Sequence, residues 1–185
     1  MQRFLHLALL LSIGFCASCS SPRIITNTDP NADFAAYSSY GFAEDLGTNL
    51  EDYESLETQF LKVAVGRELE ARGYTPSDAP DLLVNFYVLT KEKVRTTSTP
   101  SSYYGYRGHG GYGTWGGHGA YETTTTQYTE GTLNIDLIDR GRMQLVWEGA
   151  IIGTLTDKER KNIEQTIDTA VANVFEHYPF VAPPR

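Results

Sequence analysis

Two stretches of the chain alternate apolar and polar residues at every second position. In residues 81–97, Leu82, Val84, Phe86 and Val88 fall on one side, and Asn85, Tyr87, Lys91, Lys93 and Arg95 on the other. In residues 121–139, Leu133, Ile135 and Leu137 alternate with Thr132, Asn134 and Asp136. A period of two marks half-buried strands. Together they predict an antiparallel hairpin around the segment between them. For the two apolar sets to share a face, paired residue numbers must sum to an odd number, because a one-residue slip turns every side chain over. A sum near 219 pairs Val84 with Ile135, Phe86 with Leu133 and Arg95 with Thr124. A further strand is expected over residues 142–155, with Leu145, Trp147, Gly149 and Ile151 on one face. A tight turn at 139–142 precedes it, in which Gly141 is free to take positive φ. Tyr37, Tyr40 and Phe42 predict a first strand over residues 34–42.

Elsewhere the apolar period is helical. Leu61, Val65 and Leu69 recur at four-residue spacing in 56–72, with Ala64 beside them. Leu56, Phe60 and Val63 form a second stripe, and burial of both stripes is expected, as in a broad core helix. Gly73 suits the left-handed position after the helix, and Pro76 blocks its continuation. Residues 156–159, Thr-Asp-Lys-Glu, match a capping box. The helix it opens carries Ile163, Ile167, Ala170, Val171 and Val174. The predicted order is β-α-β-β-β-α. Both helices serve one core, so the expectation is an α+β two-layer sandwich, a four-stranded, mainly antiparallel sheet with two helices on one face.

The N-terminus changes the picture. Arg3 precedes an apolar run over 4–15, followed by Ala17, Ser18 and Cys19. A basic start, a run too short to span a bilayer and small residues at the end predict a signal peptide over 1–18. The Cys after the small residues resembles the lipobox of bacterial lipoproteins, with Cys16 where Leu is commonest. This implies lipidation of Cys19. Ordinary signal cleavage at the same bond is the alternative and would leave a soluble periplasmic or secreted protein. Cys16 leaves with the signal peptide, so the mature chain has one Cys and no disulfide partner. Ser20, rather than Asp, resembles the outer-membrane class facing the periplasm. Residues 19–31 are expected to be the lipidated Cys and a polar tether, 32–178 a single domain, and 179–185 a loose tail.

Removing Arg3 takes the formal charge from -8 to -9. So acidic a chain excludes nucleic acid as an expected partner. The membrane, through the lipid, and an envelope protein or glycan remain. Residues 100–120 hold eight Gly, four Tyr, one Trp and two His. Two readings stand: a passive hairpin tip, or a recognition loop in which Tyr103, Tyr104, Tyr106, Tyr112 and Trp115 make amphipathic contacts. Nothing fixes the spacing of His109 and His118, so no metal site is expected. No Gly-Lys-Ser/Thr follows the glycines, and no cofactor is expected. Lys91, Lys93 and Arg95 form a basic stripe at the loop's base. No catalytic motif is present. An enzymatic alternative rests on Glu130 and Asp136, which share a face by parity.

Several short segments, in order, carry a resemblance. They are Asp33-Phe34 with Tyr37, Tyr40 and Phe42; Leu69 with Arg72-Gly73-Tyr74; the run 80–84; the run 128–133 with Ile135-Asp136-Leu137; and the run 145–149. The chain resembles the bacterial lipoprotein family of the domain of unknown function 4136 type. The resemblance implies an envelope lipoprotein and supplies no activity, so no catalytic residue carries over.

Overall fold

The structure is a computed structural model that describes residues 21–49, 53–100 and 121–181. The strands are β1 (Arg23–Thr28), β2 (Ser39–Phe42), β3 (Thr75–Pro76), β4 (Leu82–Pro100), β5 (Tyr121–Asp139) and β6 (Gln144–Leu155). The helices are α1 (Leu56–Ala71), α2 (Asp157–Lys161) and α3 (Ile163–Phe175). The strand order in the sheet is β1-β6-β5-β4-β2-β3.

The architecture is α+β, but the sheet corrects the expected one: it has six strands and is mixed. β2 is parallel to both β3 and β4, while the pairs β1–β6, β6–β5 and β5–β4 are antiparallel. β2 and β4 are parallel because α1 lies between them and carries the chain back to the starting end. β1 lies inside the segment expected to be tether. It has two apolar residues, Ile24 and Ile25, and sits at a sheet edge where only one is packed inward, so its alternation is weak. The tether before it is correspondingly shorter.

The central hairpin obeys the odd-sum rule at 221, two more than expected. Val84 pairs with Leu137, Phe86 with Ile135 and Arg95 with Thr126. A shift of two keeps every side chain on its face, so facing alone does not choose between the registers. The two-residue slide puts Leu82 beside Asp139, next to the turn into β6.

The helices cover the face bearing Leu82, Val84, Phe86, Leu133, Ile135 and Leu137, all buried. A bulge between Leu137 and Ile138 in the β5–β6 pairing skips one residue. Val146 and Trp147 are consequently both buried, and Leu145 is 45% exposed rather than on the inner face as expected. The positive φ in the β5–β6 turn belongs to Met143 (51°), not Gly141.

On α1, Leu61, Ala64, Val65 and Leu69 are buried. The second stripe is not: Phe60 is partly covered, while Leu56 and Val63 are 63% and 67% exposed. Ser55 caps the helix by accepting from the Thr58 N–H at 3.0 Å. Gly73 takes φ 93° as the chain leaves it. The capping box forms, with the Thr156 N–H donating to Glu159 at 2.9 Å. The helix it opens breaks at Asn162 (φ -121°, ψ 49°), whose side chain donates to the Lys158 carbonyl. Such local bonds compete with the helix's own. The tail is anchored further than expected: Tyr178 is buried and Phe180 packs on Tyr74 with ring centres 5.9 Å apart. Among the described residues no helix is long and apolar enough to cross a membrane.

Candidate functional site

Among the described residues no helix covers the opposite face of the sheet. Register arranges it in rows across the strands. The first is Leu83, Ile138 and Leu145; the second Asn85, Asp136, Glu148 and Asn27; the third Tyr87, Asn134, Ala150 and Ile25; the fourth Leu89, Thr132, Ile152 and Arg23. Beyond them Lys91 lies opposite Glu130, Lys93 opposite Tyr128, and Arg95 opposite Thr126.

The second row is a hydrogen-bonded polar cluster. Asn134, buried, donates to Asp136 at 3.1 Å and to Glu148 at 3.0 Å. Asn27 donates to the other Glu148 oxygen at 3.1 Å. Partial burial, followed by the Glu148 charge, pushes the Asp136 carboxyl above its ordinary range, and the Asn134 bond opposes the rise. Tyr87 is raised too, first by burial and then by Asp136 and Glu148.

Glu130 and Asp136 do lie on one face, but they are six residues apart on β5, about 20 Å along the strand. That is far outside the roughly 5–9.5 Å of carboxylate pairs that work together on a glycosidic bond. Asp136 is instead partnered by Glu148. The alternation of β6 placed Glu148 outward, but its pairing with Asp136 depends on the β5–β6 register, which the sequence pattern leaves open.

A raised carboxyl has a defined consequence for stability. The charged form of Asp136 is disfavoured in the fold relative to the unfolded chain. The penalty is complete above the folded pKa, lifts as pH falls through it, and is gone below the ordinary value of 3.8. Asp136→Asn is therefore expected to raise Tm at neutral pH and to lose that advantage below pH 3.8. Thermal melts of both proteins at the two pH values check it. An equal gain at both would remove the charge as its cause.

Past Thr129 and its partner Leu155, β4 and β5 continue as a two-stranded arm. β6 ends at Leu155 opposite Thr129, while β4 and β5 stay paired to Pro100 and Tyr121. Both faces of the arm are exposed from Val94 to Thr99 and from Glu122 to Gln127. Threonines face one another across it, as in Thr96–Thr125 and Thr97–Thr124. At its base Thr129 donates to Glu92 at 2.7 Å, and Arg160 of α2 donates to the Thr129 hydroxyl at 3.2 Å. Between the arm base and the helix layer lies an open groove of about 1370 Å³, lined by Leu61, Val88, Leu133, Ile151, Ile167 and Ala170 among others.

The basic stripe lies on the outer face at the base of the arm. Lys93 is paired with Glu130 at 2.5 Å, and the Arg95 guanidinium sits 5.4 Å over the Tyr128 ring. Cys19, Tyr103, Tyr104, Tyr106, Tyr112, Trp115, His109 and His118 lie outside the described residues. Among the described residues no group of three or more His, Cys, Asp or Glu is placed to hold a metal.

The sequence profile of the domain of unknown function DUF4136 matches residues 24–180. The chain belongs to the DUF4136 family. The match begins inside β1 and ends at Phe180, so it takes in the edge strand and the Tyr178–Phe180 anchor. No curated protein matches. Among solved structures, a PDZ domain protein from Parabacteroides distasonis is similar at 15% identity and a TM-score of 0.56, over 88% of this chain and 36% of that one. The chain thus spans about a third of that protein's length, and at this identity the likeness is one of fold. A DUF4136 family protein from Bacteroides thetaiotaomicron is similar at 21% identity and a TM-score of 0.49, over 87% and 97% of the two chains. PelC from Paraburkholderia phytofirmans, solved as a dodecamer, gives 12%, 0.48, 88% and 100%.

Proposed function

We propose that this DUF4136 protein is a lipid-anchored component of the bacterial cell envelope, held by Cys19 to the periplasmic side of the outer membrane. It acts as a non-catalytic binding or scaffolding module that presents its Gly/Tyr-rich segment to an envelope protein or glycan. The observation that supports this reading is the arm. A two-stranded ribbon is marginal by itself in water, yet β4 and β5 stay paired well beyond the edge of β6. The segment rich in Gly, Tyr and Trp lies between the paired ends Pro100 and Tyr121. The lipid reading is carried by the order Ala17-Ser18-Cys19 after an apolar run.

Photo-crosslinking in cells tests the binding role, with probes at Tyr112 and Trp115 of the full-length protein. A discrete adduct, identified by mass spectrometry, is the expected result. If neither probe gives an adduct while a control probe at exposed Val63 does, the segment is not the recognition element.

A further inference from the structure

We infer that the outer face of the sheet, from Ile25 and Arg23 across to Lys91 and Arg95 at the base of the arm, lies along the lipid surface and reads anionic headgroup phosphates. The inference rests on the anchoring reading, and what carries it is the short reach from anchor to fold. β1 begins at Arg23, so four residue steps separate it from Cys19, at most about 14 Å. β1 is antiparallel to β6 and β6 to β5. Its start therefore points the same way as the arm. Pro22 continues in that direction, because a Cβ on Gly153, the next residue beyond Ile152, would lie 3.6 Å from the Pro22 Cβ.

The arm outruns the tether. Leu89 is level with Arg23, and β4 continues from there to Pro100, eleven steps or about 36 Å. Standing upright, the arm would drive its outer half into hydrocarbon. That half carries Arg95, Glu122 and a run of Thr and Ser from Thr96 to Thr99, and its outer strand edges pair with nothing among the described residues. Charges and open sheet edges are excluded from a bilayer core. With the anchor this close, the arm must lie along the surface instead.

The choice of face follows from the helices. On the inner side a helix layer about 10 Å thick stands off the sheet, which would hold the inner face of the arm away from the bilayer. The outer side has no such layer among the described residues. It presents Arg23, Lys91, Lys93 and Arg95 in the half nearest the anchor, against Glu130 and Glu122. Exposed Ile25 and Leu89 lie among them. Asp136 and Glu148 sit two rows further from the anchor. Cations beside exposed apolar groups suit a headgroup layer, where each Lys or Arg near an anionic surface contributes about 1 kcal/mol.

Thr96 and Thr97 are neighbours on opposite faces of the arm, which makes the test internal. The acylated thiol of Cys19 leaves no free thiol in the mature chain, so Thr97→Cys and Thr96→Cys each accept one fluorescent label. The full lipidated protein is reconstituted in mixed phosphatidylethanolamine and phosphatidylglycerol vesicles with a headgroup-attached quencher. Quenching several-fold stronger at 97 than at 96, abolished when Arg23, Lys91 and Arg95 are changed to Glu, is the expected result. Equal quenching at both sites, stronger quenching at 96, or insensitivity to the charge reversal overturns the inference. Mass spectrometry of the N-terminal peptide separates the two levels. An unacylated Cys19 overturns the anchoring reading and this inference with it. An acylated Cys19 with position 97 in water overturns this inference alone.

Discussion

Replacing Trp147 by Ala is expected to cost about 3–5 kcal/mol of unfolding free energy, the range for deleting a large buried aromatic. Trp147 is fully buried in β6. Its ring lies 5.4 Å from that of Phe175 and 5.1 Å, edge-on, from that of Tyr178. The indole fits because Gly149 is two residues on, where an added Cβ would collide with both the indole and Val174. Little can collapse into the vacated space, since strand, helix and C-terminal anchor all meet there. A stability of about 5–15 kcal/mol is typical of a domain, so the variant stands near the limit of folding. Urea unfolding checks it: the midpoint falls while the slope is unchanged if packing alone is lost. The buried Trp147 Nε1 has no hydrogen-bond partner among the described residues. Trp147→Phe removes that buried donor along with some volume, so its loss is expected to be distinctly smaller than that of the Ala variant. Equal losses would mean that cavity size does not set the cost.

Arg72→Met is expected to cost about 2–3 kcal/mol, the scale of a charged hydrogen-bond set left unmade in a partly buried place. Arg72 follows α1 and is the clasp between the two long helices. It donates to the Glu68 carbonyl and carboxylate at 2.8 and 2.7 Å, and to the Phe175 carbonyl at the end of α3 at 2.6 Å. Helix ends leave carbonyls without intrahelical partners, and the guanidinium satisfies one of them. It also stacks 5.1 Å from the Phe175 ring centre and 5.9 Å from that of Tyr178. Met keeps length and apolar bulk but not donors or charge. The exposed pair Arg67–Asp168, which also joins α1 and α3, makes a comparison. Arg67→Met should cost no more than about 1 kcal/mol, as exposed ion pairs do. Chemical denaturation of the two variants side by side checks both values, and equal losses would mean the Arg72 clasp carries no special weight.

The inner parts of the long strands and the two main helices are legible because each buries one face. Period two in 132–137 and period 3.6 around Ile163 to Val174 are the imprint of that burial. β1 was not legible because an edge strand packs one residue, Ile24, into the core and leaves Ile25 exposed. The exchange of Leu145 for Val146 could not be read either, since a bulge breaks the parity on which strand reading depends. The second stripe of α1 shows the reverse error. Apolar residues at helical spacing signalled burial, yet nothing among the described residues covers Leu56 or Val63.

The placing of helices against a sheet, the odd-sum pairing of the central hairpin and the capping box at Thr156 follow from local periodicity and from residues adjacent in the chain, and the family from the ordered set of short segments. The candidate site was only half visible. Lys91, Lys93, Arg95 and Asp136 were placed on the correct face by parity alone. The distance from Glu130 to Asp136 follows from their spacing along one strand, whereas only tertiary pairing sets Glu148 beside Asp136 and puts Arg23 level with Leu89 near the foot of the arm. Those relations join strands that are distant in sequence. They are decided by register, and a register can shift by two without changing which side chains face the core.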